Sequence, residues 1–317
     1  MKPLFSIIIP IRLENDYLKE TKNHLTNQTY KNFELLIITD KISHTPNPAN
    51  KRNLGAKKSN GKYLIFLDDD SYPQKNWLKN IKKQIDLHPN FAAFCGPALT
   101  PPDNTIFQKA SGLVWSSWLG SGGAGTYRSK TMSPRFVDDY PTVNLIVKKT
   151  DFIKVGGFNL RYWPGEDTIL CLKLTQLGKK IYYHPSIVVY HHRRNILLPH
   201  LKQIGRYAQH RGLFVKIFPQ NSFKLGYFVP SIFLIYIATL PLTKYFTLLY
   251  IYLFLLFATF LSFINQENNL LISILATVTI PITHLYYGLL FIIGLLKKNL
   301  NYQPHQVNKK TGHYIGG

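Results

Sequence analysis

Carboxylates cluster at two places in this chain. The stretch "YLIFLDDDSYP" drives an apolar run into Asp68, Asp69 and Asp70, and "GEDTILCLKL" sets Glu166 and Asp167 at the head of an amphipathic segment. Adjacent acids repel, so three in a row stay ionised only beside a cation, a set of donors or ample water. The residue types leave a solvated turn, an N-cap cluster for a helix beginning near Pro73, and a divalent metal site all open. Asp40 ends the preceding apolar run, and Lys51 and Arg52 follow it, so cations and carboxylates converge on one crevice. A hard cation such as Mg²⁺ or Mn²⁺ takes a few oxygen ligands and often bridges a diphosphate. An Asp-x-Asp with Lys and Arg nearby therefore suits a nucleotide diphosphate held through its metal. Glu166 and Asp167 read either as acids favoured by a helix dipole or as a general base within reach of a hydroxyl.

The segment "YYHPSIVVYHHRRN" follows. His191 and His192 close an apolar strand and precede Arg193 and Arg194, which places donors at an edge, although histidines in such positions are also often packed. Neutral imidazole is a reasonable third protein ligand for Mn²⁺, and a guanidinium binds phosphate in bidentate fashion, whether on a donor diphosphate or a lipid phosphate. In "LPHLKQIGRYAQHRGLFVKIF" a helix puts Gln203 and Arg206 on one face with Tyr207 beside them. They could line an acceptor end of the site, or the helix could be interfacial, with basic residues toward anionic lipid.

These groups need a scaffold. From Phe5 to about Gly96, apolar strands ("FSIIIP", "FELLIITD", "KYLIFLDDD", "FAAFCG") alternate with helical stretches over Tyr17–Asn27, Asn53–Ser59 and Asn76–Leu87. Near-continuous apolar strands in βαβ alternation predict a parallel sheet covered on both faces, with ligands at the strand C-termini. No Gly-x-Gly-x-x-Gly opens the first helix and no Gly-Lys-Ser/Thr loop occurs, which removes the main support for dinucleotide-binding and P-loop folds. Residues 97–140, with "SGLVWSSWLGSGGAGTYRS" at their centre, read as a long pliable loop of the lid or binding type. "VNLIVKKTDFIKVGGFN" reads as a strand, a short helix and a glycine turn. No internal repeat is present.

The chain has 317 residues with 38 Lys+Arg against 16 Asp+Glu, a net charge of +22, which favours an anionic partner. No nucleic-acid reading module is recognisable and the charges are spread along the chain, so nucleic acid is not the expected partner. Its two cysteines, Cys95 and Cys171, lack metal spacing and read as core residues of a reducing compartment. The N-terminal apolar run is too short for a signal peptide. After Gly226 come "YFVPSIFLIYIATLPL", "FTLLYIYLFLLFATFLSFI" and "LLISILATVTIPITHLYYGLLFIIGLL", which read as membrane segments. Lysines after the last segment and none in "NQENN" favour two crossings over three, the first segment lying in the interface, with the catalytic region on the cytoplasmic side of the cell (inner) membrane. The expected division is 1–215 as the α/β domain, with the acceptor loop at 97–140 and an interfacial helix at 198–215, then 216–300 as membrane segments and 301–317 as a basic tail.

With "SIIIPIRLEND", "ELLIITD", "NKRNLGAKKSNGKYLIFLDDD", "VGGFN" and "GEDTILCLKL" in this order, the sequence resembles family 2 glycosyltransferases over roughly residues 4–215. The resemblance implies a GT-A fold, Rossmann-like and nucleotide-sugar-binding, followed by the helical membrane region, and an inverting, metal-dependent transfer from a nucleotide-diphosphate sugar, a UDP-sugar by default. It implies a Mn²⁺ or Mg²⁺ at Asp68 and Asp70 with His191 completing the shell, and donor contacts from Pro10, Arg12, Asp40, Arg52, Asp68 and Asp69. Arg12 stands where a small polar or aromatic residue is common. It further implies Asp167 as base, Glu166 as its positioning neighbour and Trp163 as a platform for a sugar face. His192, Arg193, Arg194, Gln203, Arg206 and Tyr207 would face a lipid-linked or glycan acceptor, "QIGRY" resembling the Gln-x-x-Arg-Trp motif of membrane-embedded synthases with Tyr in place of Trp. The alternative is a non-catalytic, membrane-anchored glycan-binding or scaffold protein that kept the fold.

Overall fold

The computed structural model describes residues 2–123 and 125–300 and the short strands Gln306–Val307 and Tyr314–Ile315. The rest of the expected basic tail, with Lys309 and Lys310, lies outside the described residues. In chain order the elements are β1 (Phe5–Pro10), α1 (Asp16–Thr26), β2 (Phe33–Ile38), α2 (Asp40–Ser43), α3 (Pro48–Lys58), β3 (Tyr63–Leu67), β4 (Ser71–Pro73), α4 (Trp77–Leu87), β5 (Ala93–Cys95) and β6 (Ala98–Leu99). Then come α5 (Ile106–Ser116), α6 (Trp118–Ser121), α7 (Thr126–Ser129), β7 (Arg135–Val137), β8 (Asn144–Lys148), α8 (Lys149–Lys154), α9 (Glu166–Gln176), β9 (Ile181–Tyr183) and β10 (Val189–His191). The chain closes with α10 (Leu198–Ile217), α11 (Pro219–Ser222), α12 (Val229–Thr243), α13 (Thr247–Glu267) and α14 (Leu270–Leu296).

The chain divides into two compact units, the first holding residues up to Leu99 with Thr131–His191, the second Thr100–Lys130 with His192–Leu300. This differs from a single domain over 1–215. In the first unit a seven-stranded sheet runs β2-β1-β3-β8-β5-β9-β7, and a second sheet runs β4-β10-β6. Strands β1, β2 and β3 are parallel, as the βαβ pattern predicts, but β8 inserts antiparallel between β3 and β5, so the sheet is mixed. The fully buried "FSIIIP" and "YLIFL" strands pack with Leu18, Leu25, Trp77, Leu78 and Ile81 of α1 and α4 into one core. Asn144 ties this region together: its side-chain amide donates to the carbonyls of Gly96 and Ile187, each at 2.7 Å, and its Oδ1 accepts from the Trp77 indole.

The centre of the expected loop at 97–140 is helical, with α5, α6 and α7 following one another between Ile106 and Ser129. Thr105 and Gln108 form a capping box at the start of α5, and buried Ala110, Leu113 and Val114 pack with Phe263, Ile272, Ala276 and Ile280 of α13 and α14. Its small residues serve helix contact as well as turns. In the same unit α10 lies along α14, with close approach secured by glycine. A Cβ on Gly212 would stand 2.2 Å from the Phe291 carbonyl, and one on Gly294 2.2 Å from that of Gln209. Gly294→Val should therefore force the helices apart and cost about 1–3 kcal/mol, the usual range for overpacking, read as a lowered melting temperature of the purified protein. An unchanged melting temperature would refute this packing.

Among the described residues, three helices are long and apolar enough to cross a membrane: Leu225–Thr243, Thr247–Glu267 and Leu270–Leu296. The first gains length because a 3₁₀ turn, Leu225–Tyr227, precedes α12. Length and composition thus qualify three segments, where the lysine distribution favours two crossings.

Candidate functional site

Helix α3 is set by its own residues. Asn47 caps it by accepting from the amides of Ala49 and Asn50, Pro48 occupies the first turn, and Gly55 lets it press on β1, since a Cβ there would meet Ile8 Cγ2 at 2.5 Å. The helix starts before the expected Asn53 because of this cap. It thereby delivers two buried cations, Lys51 and Arg52.

Lys51 Nζ donates to the Ile11 carbonyl at 2.9 Å and contacts Asp40 Oδ1, while Arg12 Nε donates to Asp40 Oδ2 at 3.0 Å. Asp40 begins α2, just beyond the end of β2, and Pro10 ends β1. Burial pulls the Lys51 pKa down, and the Asp40 carboxylate opposes that. Arg12, the unusual residue two positions beyond Pro10, is thus seated on Asp40, a carboxylate expected to contact the donor.

Arg52 joins the two acidic motifs. Its Nη2 donates to Asp68 Oδ1 and its Nη1 to Glu166 Oε1, each at 2.8 Å. Asp68, Asp69 and Asp70 occupy the turn between β3 and β4 rather than a helix N-cap, since α4 starts only at Trp77. Asp69 accepts from Asn15 Nδ2 at 3.1 Å; Asn15 also caps α1 through its Oδ1. Asp70 faces His191, Oδ1 to Nε2 at 3.2 Å. The cause is register: β10 runs antiparallel to β4 with His191 opposite Ser71. Asp68, expected as a metal ligand with Asp70 and His191, bonds Arg52, and among the described residues no three His, Cys, Asp or Glu side chains gather closely enough to hold an ion.

Glu166 and Asp167 open α9, whose start has no side-chain cap. Glu166 is 3% exposed and Asp167 half-buried. The Glu166 pKa is pushed up to about 8, first by burial and then by the Asp167 charge, with the Arg52 guanidinium opposing. Asp167 Oδ1 accepts from the Thr168 amide at 2.8 Å, and the Thr168 hydroxyl donates to buried Asp139 at 2.9 Å. Half-buried Trp163 lies just before α9.

The remaining candidates belong to the second unit. His192 is buried, and its Nδ1 accepts from Asn104 Nδ2 at 2.7 Å; Asn104 Oδ1 in turn accepts the Arg193 amide. Arg193 Nε donates to Thr100 Oγ1 at 3.2 Å, and Arg194 is half-buried. On α10, Gln203 Nε2 donates to the Tyr207 hydroxyl at 3.3 Å, and the Tyr207 ring meets Trp115 edge-on at 6.1 Å between centroids. Arg206 is half-buried, and burial lowers its pKa. His200, which the sequence does not single out, is fully buried between Ser111 and Thr283, and burial, with the Arg193 charge, brings its pKa down to about 4. Asn15, Asn53 and Asp139 were also not apparent from sequence; only Asn15 carried a signal, as the polar residue preceding a helix.

The model of the family described as "Glycosyl transferase family group 2" matches residues 63–292. A Methanococcus voltae protein named dolichyl N-acetyl-alpha-D-glucosaminyl phosphate 3-beta-D-2,3-diacetamido-2,3-dideoxy-beta-D-glucuronosyltransferase is 24% identical over 94% of this chain and 99% of its own. A pre-mycofactocin glycosyltransferase of Mycobacterium tuberculosis is 26% identical over 49% of this chain, which spans only 32% of that relative's length. Among solved structures, a mannosyltransferase from Pyrobaculum calidifontis superposes with a TM-score of 0.57 at 14% identity, over 94% of this chain and 89% of that one. That likeness shows a shared GT-A fold.

Proposed function

The chain belongs to glycosyl transferase family group 2 and is a glycosyltransferase, and on that premise we propose an inverting transfer from a nucleoside-diphosphate sugar to a lipid-linked or glycan acceptor at the cytoplasmic face of the cell membrane. The observation that carries this reading is the approach of His191 to Asp70 in the same unit that joins Asp68 to Glu166 through Arg52. Asp167 accepts the proton of an acceptor hydroxyl as its oxygen bonds the anomeric carbon and the bond from that carbon to the diphosphate oxygen breaks. Glu166, buried on Arg52, keeps the first turn of α9 in place for this. An imidazole nitrogen facing a carboxylate oxygen is a donor set that suits a borderline-hard cation, so Asp70 and His191 would hold a Mn²⁺ or Mg²⁺. Such an ion supplies positive charge to the departing diphosphate.

Names support the substrates only by analogy: the Methanococcus relative's name specifies a dolichyl-linked acceptor, and the Pyrobaculum structure is in complex with GDP-Man and Mn²⁺. The apolar helices of the second unit suit a lipid-linked acceptor, and Lys216, Lys224 and Lys244 suit anionic head groups. The test is a melting-temperature screen of the purified protein against UDP, GDP and other nucleoside diphosphates with Mn²⁺. A ligand at about a hundred times its Kd adds about 2.7 kcal/mol to the native state, so one nucleotide should raise the melting temperature and its sugar conjugate should be turned over. If no nucleoside diphosphate shifts melting and no nucleotide sugar is consumed, the reading fails.

A further inference from the structure

Helix α3 grips one stretch of chain at three points. Asn47 Nδ2 donates to the Leu160 carbonyl at 3.1 Å. Asn53 mimics a backbone pair, donating to the Phe158 carbonyl and accepting the Phe158 amide, each at 2.9 Å. Arg52 lies 5.8 Å from the Phe158 ring centroid and reaches Glu166 beyond it. The stretch so held, residues 158–166, leads directly into α9. Because the capping position of α9 is Gly165, with no side chain to fix the helix start, the placement of Asp167 depends on what holds its neighbours.

Arg52 is suited to that task and poorly suited to contacting a donor. It is 4% exposed, and its two terminal nitrogens are bonded to carboxylates that lie 98 positions apart in the chain, at 68 and 166. Charge-assisted bonds of a planar guanidinium shielded from water fix both distance and orientation. The carboxylate on one side belongs to the turn that carries Asp70, and the one on the other side precedes Asp167.

We propose that Arg52 is a positioning residue that ties the Asp68–Asp70 turn to the first turn of α9, so that the proton acceptor Asp167 is held at a fixed place relative to Asp70 and His191. The proposal rests on the transferase reading above. It assigns Arg52 a role other than the donor contact that the family resemblance implies.

The experiment compares wild type, Arg52→Met, Glu166→Gln and the double variant Arg52→Met/Glu166→Gln as purified full-length proteins. Three quantities are read: melting temperature, Kd for the nucleoside diphosphate with Mn²⁺, and kcat for transfer. Arg52→Met should lower kcat about a hundredfold, the cost of roughly an ångström of misplacement, while the Kd stays within about threefold. It should also lower the melting temperature, because buried Glu166 loses its partner. The double variant should regain melting temperature without regaining kcat. A Kd weakened more than about tenfold by Arg52→Met would make Arg52 a donor ligand, and recovery of kcat with melting temperature in the double variant would make its role merely structural. Either result overturns the proposal. The melting cycle also stands without activity: additive effects at 52 and 166 would refute the tie, whereas a wild type that binds no nucleotide and transfers no sugar would refute the transferase reading instead.

Discussion

Asp167→Asn should lower sugar transfer by about two to four orders of magnitude while leaving nucleoside-diphosphate affinity nearly unchanged, because amide for carboxylate keeps shape and removes proton acceptance. Geometry selects Asp167 over its neighbour. Glu166 is buried and bonded to Arg52, which keeps it from an incoming hydroxyl, whereas Asp167 is half-buried at the start of α9. The two carboxyls are also set apart electrostatically. Burial and the Asp167 charge push the Glu166 pKa up against the opposing pull of Arg52, and neighbouring carboxyls in environments that differ in this way commonly divide into distinct roles. Glu166→Gln keeps an oxygen for Arg52 to donate to and should retain most of the activity. The check is single-turnover transfer beside equilibrium nucleotide binding for each variant. An active Asp167→Asn with an inactive Glu166→Gln would exchange the two roles.

Local pattern made much of the scaffold readable, and its limits follow from what local pattern encodes. The apolar runs of β1, β2 and β3 and the amphipathic α1 and α4 state their own conformations, and Asp40 and Asp68–Asp70 are visible as acids at strand ends. Pairing order is not local. Nothing in "VNLIVKK" says that β8 enters antiparallel beside β3, since that depends on the route taken by the chain between Leu99 and Thr131. Nor does the Gly- and Ser-rich stretch at 111–125 announce helix packing, because the same small residues serve turns and close helix contacts alike. Among the site residues, the acids could be named from sequence and their partners could not. The spacing of Arg52 from Glu166 carries no message, and the meeting of Asp70 with His191 exists only through the register of β10 on β4. The pairing of Asp68 with Arg52 likewise redirects a residue that motif reading gives to a metal.

That redirection makes the metal site separable by mutation. Asp70→Asn and His191→Ala should each raise the Mn²⁺ concentration needed for half-maximal activity by at least roughly tenfold, and Asp70→Asn should lower turnover at saturating metal by about two to three orders of magnitude, since charge stabilisation of a leaving group is among the largest catalytic contributions. Asp68→Asn should behave differently. Its carboxylate bonds Arg52 at 2.8 Å, and Asn keeps an oxygen there while giving up the charge, so the tie to Arg52 weakens without breaking and kcat falls only modestly while the Mn²⁺ requirement stays near that of wild type. The measurement is transfer rate against Mn²⁺ concentration for all three variants, with nucleoside-diphosphate binding measured in the presence and absence of the ion. An Mn²⁺ requirement shifted as far by Asp68→Asn as by Asp70→Asn would restore Asp68 as a direct ligand and demand that it leave Arg52 when the ion binds. Unchanged metal dependence in both Asp70→Asn and His191→Ala would place the ion elsewhere and leave the pair at 3.2 Å as a packing contact between β4 and β10.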